Sequence, residues 1–228
     1  MKVELKREVY MANLRLTELG LVTLTWGNVS GIDRKEGIVA IKPSGVPYSE
    51  LKEEDIVLLD LEGKVADGSL KPSSDTPTHI ALYRRYENIG GIAHCHSTAA
   101  TSFAQALRPV PCLGTTHADH FRGPVPLTRE LTASEIGSDY EAMTGNVIIE
   151  RLDENDPMAV PAVLVARHGP FSWGKDAGEA VDNAAALETV ASMALDTLAL
   201  NPSAEDFPEA LLEKHHSRKH GASATYGQ

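Results

Sequence analysis

Apolar side chains near the start of the chain recur at helical spacing, and a strand-like pattern follows them. The apolar positions between Leu5 and Leu19 predict an amphipathic helix, which Gly20 can end in a left-handed cap. Short segments rich in apolar or β-branched residues come next, separated by Gly, Pro and Asp as in strands joined by tight turns. They predict strands over residues 22–30, 37–41 and 56–60.

Helix signals dominate the middle of the chain. Asp75 or Thr76 before Pro77 is typical of a helix start, and the apolar pattern extends that helix to about residue 87. A strand over residues 92–96 follows, and Ser97 can cap a helix to about residue 107. Thr132 and Glu135 match the capping box at the head of another helix.

The last third of the chain predicts two buried strands and two helices. The strands are residues 147–150 and 162–166, and a long Ala-rich helix runs from residue 176 or 177 to 200. A charged helix over 204–219 and a short tail follow. Because short strands alternate with helices, we expect one α/β domain over residues 1–228, with 202–228 as its C-terminal helix and tail.

Composition and charge narrow the possible partners. The chain has 21 Lys and Arg against 32 Asp and Glu, so its net charge is 21 − 32 = −11. This excess of negative charge argues against nucleic-acid binding, although a few backbone NH groups and one Lys can still bind an anionic substrate locally. No export signal or membrane span is predicted, because charges interrupt the apolar segments at residues 1–8 and 177–200.

The cysteines favour a reducing compartment. Cys95 and Cys112 are the only two in the chain, and neither belongs to a Cys-x-x-Cys motif. Cys95 is interpreted as a buried apolar thiol rather than a metal ligand. We therefore expect a cytoplasmic protein.

The pair His94-Cys95-His96 is the clearest candidate for chemistry. On a strand, side chains at i and i+2 point to the same face, so the two imidazoles could hold one metal ion. His168, in the segment His168-Gly-Pro170, supplies a possible third ligand. Three protein ligands leave a position open for water or substrate, which is typical of a catalytic rather than a structural metal site. An ordinary pair of strand histidines is the alternative.

Three turn sequences predict a phosphate pocket. They are residues 25–28 (Thr-Trp-Gly-Asn), 42–45 (Lys-Pro-Ser-Gly) and 71–75 (Lys-Pro-Ser-Ser-Asp). Turns built from Gly, Ser and Asn expose backbone NH groups and hydroxyls that can bind phosphate oxygens. Each alone is also an ordinary turn sequence.

Asp119 and Tyr226 are candidates for proton transfer. An Asp beside a metal can act as a general base, and a Tyr can exchange a proton with a sugar hydroxyl when its pKa is suitable. Asp119 follows Thr115-Thr-His-Ala118, and Tyr226 lies near the chain end. A helix-capping Asp and a tail Tyr without a catalytic role are the alternatives.

Taken together, these motifs resemble the L-ribulose-5-phosphate 4-epimerase family of the class II aldolase/adducin superfamily. The resemblance runs from the first helix to the final Tyr-Gly-Gln and is most specific at residues 115–119 and 220–228. It implies a three-layer α/β/α fold around a mixed, largely antiparallel sheet. It also implies a homotetramer with active sites between subunits.

The resemblance assigns roles to individual positions. It implies His94, His96, His168 and Asp75 as metal-site residues, and Asp119 and Tyr226 as proton carriers. Asp75 could instead lie in the outer shell or be a remnant of the acid/base glutamate of the aldolase branch. The implied contacts to substrate and phosphate are Gly27, Asn28, Lys42, Ser44, Gly45, Ser73 and Ser74.

The implied reaction interconverts L-ribulose 5-phosphate and D-xylulose 5-phosphate at C4. It proceeds by metal-assisted retro-aldol cleavage and re-addition, with Zn²⁺ as Lewis acid and Mn²⁺ or Co²⁺ as possible substitutes. A phospho-sugar aldolase that releases the aldehyde is the nearest alternative. An adducin-like binding module without catalysis is a further alternative, but it would need a broken histidine triad.

Overall fold

The computed structural model describes residues 2–153, 156–205, 207–220 and 224. Seven strands form one sheet in the order β4-β3-β2-β1-β5-β7-β6, and every pair of neighbouring strands is antiparallel. The strands are β1 Asn28–Asp33, β2 Ile38–Ile41, β3 Val57–Asp60, β4 Val65–Asp67, β5 Gly91–His94, β6 Ala162–Val165 and β7 Gly169–Gly174.

Helices cover both faces of this sheet, which confirms the predicted three-layer α/β/α fold with a largely antiparallel sheet. The helices are α1 Lys2–Glu18, α2 Thr76–Arg85, α3 Thr98–Gln105, α4 Thr115–Ala118, α5 Ala133–Ile136, α6 Tyr140–Leu152, α7 Ala177–Leu200 and α8 Glu209–His220.

Strand alternation divides the core between the two faces. Val29 and Ala93 pair across β1 and β5 and pack with the buried faces of α1 and α7. Ile92 and Trp173, which pair across β5 and β7, belong to the core beneath α2 and α6. Because successive side chains of a strand point to opposite faces, this register assigns each strand residue to one layer.

Most predicted elements are confirmed, and several differ in their bounds. The first helix ends as predicted, with Gly20 at φ +67°. The predicted strand over residues 22–30 begins only at Asn28, because Leu24 and Gly27 have positive φ and break the extended backbone. Strands β4 and β7 were absent from the sequence-based prediction.

The predicted strand at residues 147–150 is wrong, because this segment lies within α6. Its β-branched composition favours a strand locally. However, Ile148 and Leu152 are four residues apart and both are buried in the core shared with α2. Helical spacing therefore buries these apolar side chains together, and tertiary packing overrides the local preference.

The predicted capping chemistry is found at some helix starts but not at α3, where the Ser97 side chain makes no capping hydrogen bond. Thr132 and Glu135 form the predicted capping box, although α5 is a single turn. Asp176 caps α7 by accepting a hydrogen bond from the Glu179 NH. The charged C-terminal helix α8 begins at Glu209, later than residue 204, just after Pro208. In the described part of the chain, no helix is long and apolar enough to cross a membrane.

One end of the sheet collects four chain segments that carry polar side chains. Strand β1 begins there at Asn28, β2 ends there at Ile41, and β5 ends there at His94. Strand β7 begins there, directly after His168. Neighbouring antiparallel strands run in opposite directions, so starts and ends of strands meet at this edge.

We predict that Gly91→Ala destabilises the fold by about 3 kcal/mol or more, since overpacking against backbone cannot be relieved by a rotamer change. A Cβ at this position would lie 2.3 Å from the Ala177 backbone nitrogen at the start of α7. Urea unfolding of the purified protein measures the change.

Gly178→Ala is the matched control. The nearest heavy atom to its Cβ would be the Asp176 Oδ1, at 3.3 Å, and the site is helical. We expect a change within about 1 kcal/mol. Equal stability losses in the two variants would contradict the close approach of α7 to β5.

Candidate metal and phosphosugar site

Three histidines converge at this end of the sheet. His94 is the last residue of β5, His96 lies two residues further on, and His168 lies in the turn between β6 and β7. Their candidate ligand atoms all lie within 4.8 Å of one another. Among the described residues no other group of three or more such side chains is placed this way. The geometry suits a single metal ion bound by three imidazoles.

The surroundings of His94 fix the orientation of its ring. Its Nδ1 lies 2.9 Å from the Pro170 carbonyl oxygen, to which it can donate a hydrogen bond. The ring also stacks on Phe171, with centroids 4.2 Å apart. With the proton on Nδ1, Nε2 keeps its lone pair, and it faces the His96 Nε2 at 3.2 Å.

His94 and His96 lie together, as predicted, but they do not share a strand, because β5 ends at His94. His96 reaches the site from the segment that follows. Gly169 allows this approach, since a Cβ there would lie 3.2 Å from the His96 Cδ2 and 3.1 Å from the Cys95 carbonyl oxygen. Cys95 itself packs in the core with α1 and α7, as predicted.

The turn that presents His168 has unusual backbone geometry. Arg167 adopts φ +63°, a left-handed conformation that is uncommon for residues other than glycine. The His168 NH donates to the Val165 carbonyl at 3.0 Å, which closes the turn. Such local strain is found at functional sites, where the surrounding structure maintains it.

Burial disfavours the charged forms of His96 and His168. Desolvation, followed by the neighbouring His94 and His96, lowers the pKa of His168 to about 3. Desolvation also lowers the pKa of His96, with a further contribution from His94. Neutral imidazoles carry the lone pairs that a metal ion needs, so the lowered pKa values of His96 and His168 favour metal binding at neutral pH.

Asp75 lies beside the triad but outside the group of converging ligand atoms. Its Oδ2 accepts a 2.6 Å hydrogen bond from the Asn28 Nδ2. Burial raises the pKa of the carboxyl, but His94, His79 and the Asn28 hydrogen bond together bring it below its ordinary value. Although Asp75 is the N-cap residue of α2, its side chain makes no capping hydrogen bond. It is therefore directed to the site rather than to the helix.

The two Lys-Pro-Ser turns pair with each other. The Ser44 NH donates to the Lys71 carbonyl at 2.9 Å, and the Ser73 NH donates to the Lys42 carbonyl at 3.1 Å. Gly45 adopts φ +71°, which its turn requires. These bonds hold the two turns against each other, so that their hydroxyl groups lie on one wall.

Lys42 is buried, with 1% of its surface exposed. Its Nζ donates to the Val46 carbonyl at 2.8 Å and lies 4.7 Å from the centre of the Tyr48 ring. No ion pair with a carboxylate is found for it within the described residues. Burial lowers the pKa of this amine to about 8. A cation without an anionic partner is suited to receive an anionic ligand.

All of these parts line one cleft of about 410 Å³. The predicted metal-site and substrate-binding residues are all in its wall, and they are Gly27, Asn28, Lys42, Ser44, Gly45, Ser73, Ser74, Asp75, His94, His96 and His168. The cleft is the size of a small-molecule site. Their proximity is observed, whereas their individual roles stay predictions.

Comparison with known families identifies the fold family. The profile of the class II aldolase and adducin N-terminal domain matches residues 7–195. The chain belongs to the class II aldolase and adducin family. Two proteins named L-ribulose-5-phosphate 4-epimerase UlaF, from Salmonella paratyphi C (strain RKS4594) and Salmonella typhi, are each 52% identical to it. Each alignment spans 225 residues and 99% of both chains.

Solved structures of the family share this architecture. An L-fuculose 1-phosphate aldolase superposes with a TM-score of 0.79 and 26% identity, covering 94% of this chain and 95% of the aldolase. A sugar-phosphate aldolase from Thermotoga maritima has a TM-score of 0.65 and 23% identity, covering 87% of this chain and 96% of its own. At that identity, the second comparison supports the fold alone.

Of the two predicted proton carriers, only Asp119 lies within the described residues. Asp119, at the end of α4, is absent from the cleft wall, and its carboxylate is bound by α8. The Arg218 NH2 group lies 2.8 Å from its Oδ2, and the His215 Nδ1 lies 3.0 Å from its Oδ1. Burial raises the pKa of Asp119, but the bonds from Arg218 and His215 outweigh burial and lower it. Tyr226 lies outside the described residues.

Thr25, Trp26 and Pro43 also line the cleft and belong to the predicted phosphate turns, although the sequence assigns them no individual role. Sequence reasoning missed two residues of the cleft wall, Tyr140 and Glu141. Both begin α6, whose middle was predicted to be a strand. The start of that helix was nevertheless signalled, because Asp139 caps it by accepting a hydrogen bond from the Ala142 NH.

We predict that Lys42→Met stabilises the protein and removes a pH dependence of its stability. The folded-state pKa of about 8 lies below the ordinary value of 10.5, so the unfolded chain binds more protons in this window. The wild-type free energy of unfolding therefore gains a contribution that rises between about pH 8 and 10.5. In Lys42→Met this contribution is absent.

Urea unfolding at intervals across that range measures both curves. Lys71→Met, at an exposed position, is the matched control and should keep the wild-type pH dependence. A Lys42→Met curve that parallels the wild type across the range would contradict a depressed pKa for Lys42.

Proposed function

We propose that this chain is an L-ribulose-5-phosphate 4-epimerase, which interconverts L-ribulose 5-phosphate and D-xylulose 5-phosphate. The observation that carries the proposal is the single cleft that combines three converging imidazoles with two paired Lys-Pro-Ser turns. The relatives that are 52% identical over 99% of the chain bear this name, which supports the choice of substrate.

A divalent metal fits the triad. His94, His96 and His168 would hold it, since all three supply imidazole nitrogen and the hydrogen bond from His94 to Pro170 leaves Nε2 available. We propose Zn²⁺, with Mn²⁺ or Co²⁺ as substitutes. When bound, the ion supplies Lewis-acid stabilisation of negative charge on substrate oxygens. Asp75, 2.6 Å from the Asn28 Nδ2, would act as a further ligand or an outer partner.

The paired turns and Lys42 would hold the phosphate end of the substrate. Ser44, Gly45, Ser73 and Ser74 lie on one wall of the cleft, and their hydroxyl and NH groups can donate to phosphate oxygens. Lys42 adds the positive charge. Because the phosphate-binding turns and the triad share one cleft, both ends of the substrate would be held while the bond between those ends breaks.

The chemistry of C4 explains why such a site is needed. The C–H bond at this carbon is not acidic, since the carbon bears a hydroxyl group and is not adjacent to the carbonyl. Removing that proton therefore does not invert the centre. Breaking and re-forming the C3–C4 bond does invert it, provided that the aldehyde fragment rotates while its phosphate stays bound. Lys42 and the two turns would retain the phosphate, and with it the aldehyde fragment. This retention would distinguish an epimerase from an aldolase, which releases the fragment.

Inversion also requires a proton carrier on each face, because the C4 oxygen points in opposite directions in the two epimers. We propose Asp119 and Tyr226 for these roles. The hydrogen bonds from Arg218 and His215 keep Asp119 ionised, which suits a proton acceptor. The resemblance to the epimerase family is the support for Tyr226.

Asp119 would serve the cleft of a neighbouring subunit. Within one chain it is absent from the wall that holds the triad. The family resemblance implies a homotetramer with active sites between subunits, and an isologous or cyclic assembly can bring α4 and α8 of one copy to the cleft of another. The C-terminal segment 202–228 would then close that shared site.

We predict that the purified protein converts L-ribulose 5-phosphate to D-xylulose 5-phosphate, and that prolonged chelation abolishes this activity. A coupled assay for D-xylulose 5-phosphate measures the rate, and re-addition of Zn²⁺ should restore it. His96→Asn should behave as the chelated protein does. Activity that persists in a metal-free sample would contradict the proposed role of the triad.

The same reaction mixture also tests the aldolase alternative, which the similarity to L-fuculose 1-phosphate aldolase favours. An aldolase would release free dihydroxyacetone in proportion to substrate consumed, and trapping that product during turnover detects it. An epimerase releases only traces. Stoichiometric release would replace the epimerase proposal with the aldolase.

We predict that mixed oligomers of two inactive variants regain activity. Asp119→Asn lacks the proton carrier but retains its metal content, whereas His96→Asn lacks a ligand. Tyr226→Phe should resemble Asp119→Asn. If each site takes Asp119 and His96 from different subunits, random equal mixing of the first two variants restores about a quarter of the sites.

The mixing experiment requires the subunits to be dissociated and reassembled together. Each variant reassembled alone is the control and should stay inactive. A reassembled mixture that still contains the metal of the Asp119→Asn subunits but shows no activity would contradict a shared site. Full activity of Asp119→Asn alone would remove the role of Asp119.

A further inference from the structure

Tyr140 contacts one of the histidines directly. Its hydroxyl lies 3.3 Å from the His168 Nδ1, and the two ring centroids are 6.1 Å apart. Tyr140 is the first residue of α6, is partly buried, and lines the same cleft as the triad. Its phenol is therefore positioned between a candidate metal ligand and the space for substrate.

Hydrogen bonds and close packing hold the backbone at the start of α6, from which the Tyr140 ring projects. The Thr144 Oγ1 donates to the Tyr140 carbonyl at 2.9 Å, and the Thr78 Oγ1 donates to the Glu141 carbonyl at 2.6 Å. Gly145 lets α6 approach α2 closely, since a Cβ there would lie 2.8 Å from the Ala81 Cβ. Both bonds hold the backbone that directly follows the Tyr140 Cα.

We propose that Tyr140 is a positioning residue for the ligand His168 and a hydrogen-bond donor to a substrate oxygen. This inference rests on the proposed metal site. A ligating imidazole presents one nitrogen to the metal and carries its proton on the other, where an outer partner fixes the ring. Tyr140 is that partner, because its oxygen lies within reach of the His168 Nδ1.

The direction of this hydrogen bond determines what remains for the substrate. If the His168 Nδ1–H donates to the phenol oxygen, Nε2 keeps its lone pair for the metal. The Tyr140 proton is then unused, and a neutral phenol can donate it into the cleft. The reverse direction would place the imidazole proton on Nε2 and block metal binding. The two directions predict opposite effects of removing the hydroxyl.

Tyr140→Phe should weaken metal binding about tenfold, the lower end of the usual effect of losing an outer partner. Titration of the metal-stripped full-length protein with Co²⁺, followed by visible absorption, measures the dissociation constant. Tyr86→Phe is the matched control, since the Tyr86 hydroxyl lies at the same 3.3 Å from its partner Asp153. Unchanged or tighter Co²⁺ binding by Tyr140→Phe would overturn the positioning role.

His168→Gln separates this inference from the proposed function. If His168→Gln binds Co²⁺ as the wild type does, the proposed triad fails. If His168→Gln weakens binding and Tyr140→Phe does not, only the inference about Tyr140 fails. Circular dichroism and thermal unfolding of each variant confirm that it is folded.

Kinetics at saturating Co²⁺ test the second half of the proposal. With the metal site filled, Tyr140→Phe should still raise KM for L-ribulose 5-phosphate or lower kcat about tenfold, because a donor to the substrate is missing. Tyr86→Phe should match the wild type. Full recovery of Tyr140→Phe by excess Co²⁺ would overturn the contact to substrate.

Discussion

The register of β1, β5 and β7 is the constraint on which the rest of the site depends. Asn28 pairs with His94 across β1 and β5, and His94 pairs with Phe171 across β5 and β7. A shift of one residue would turn His94 to the opposite face of the sheet and replace it with Ala93 or Cys95. The same register places the start of β7, and therefore His168, beside the end of β5. Backbone pairing thus determines which side chains meet.

Close backbone approach makes that register possible. Gly27 has φ +84°, and a Cβ there would lie 2.7 Å from the His94 carbonyl oxygen. The segment before β1 can therefore cross the end of β5 without displacing His94. Behind the site, Ser30 bonds to both the His79 Nδ1 and the Tyr83 hydroxyl at 2.7 Å. These two bonds tie β1 to α2 directly behind the site, although the His79 Nε2 makes no hydrogen bond within the described residues.

The sequence predicts the chemistry of the site better than the path of the chain around it. His94, His96 and the Lys-Pro-Ser turns are recognisable because their residue types are limited by ligand chemistry and by turn geometry. Strand β7 escapes prediction because Gly169 and Pro170 begin it, residues that otherwise indicate a turn. Tyr140 escapes prediction because its contact with His168 depends on how α6 packs on α2, and packing over a distance of 28 residues leaves no local pattern.

The site also combines groups that burial alone would disfavour. Burial opposes the charged forms of Lys42, His96 and His168, which line the same cleft. This combination suits a site for a metal ion and a phosphate. Neutral imidazoles can bind the metal ion, and the Lys42 ammonium group can bind the phosphate. Asp75 lines the same cleft, bonded to Asn28, and its carboxylate would offset part of the positive charge of a bound metal ion.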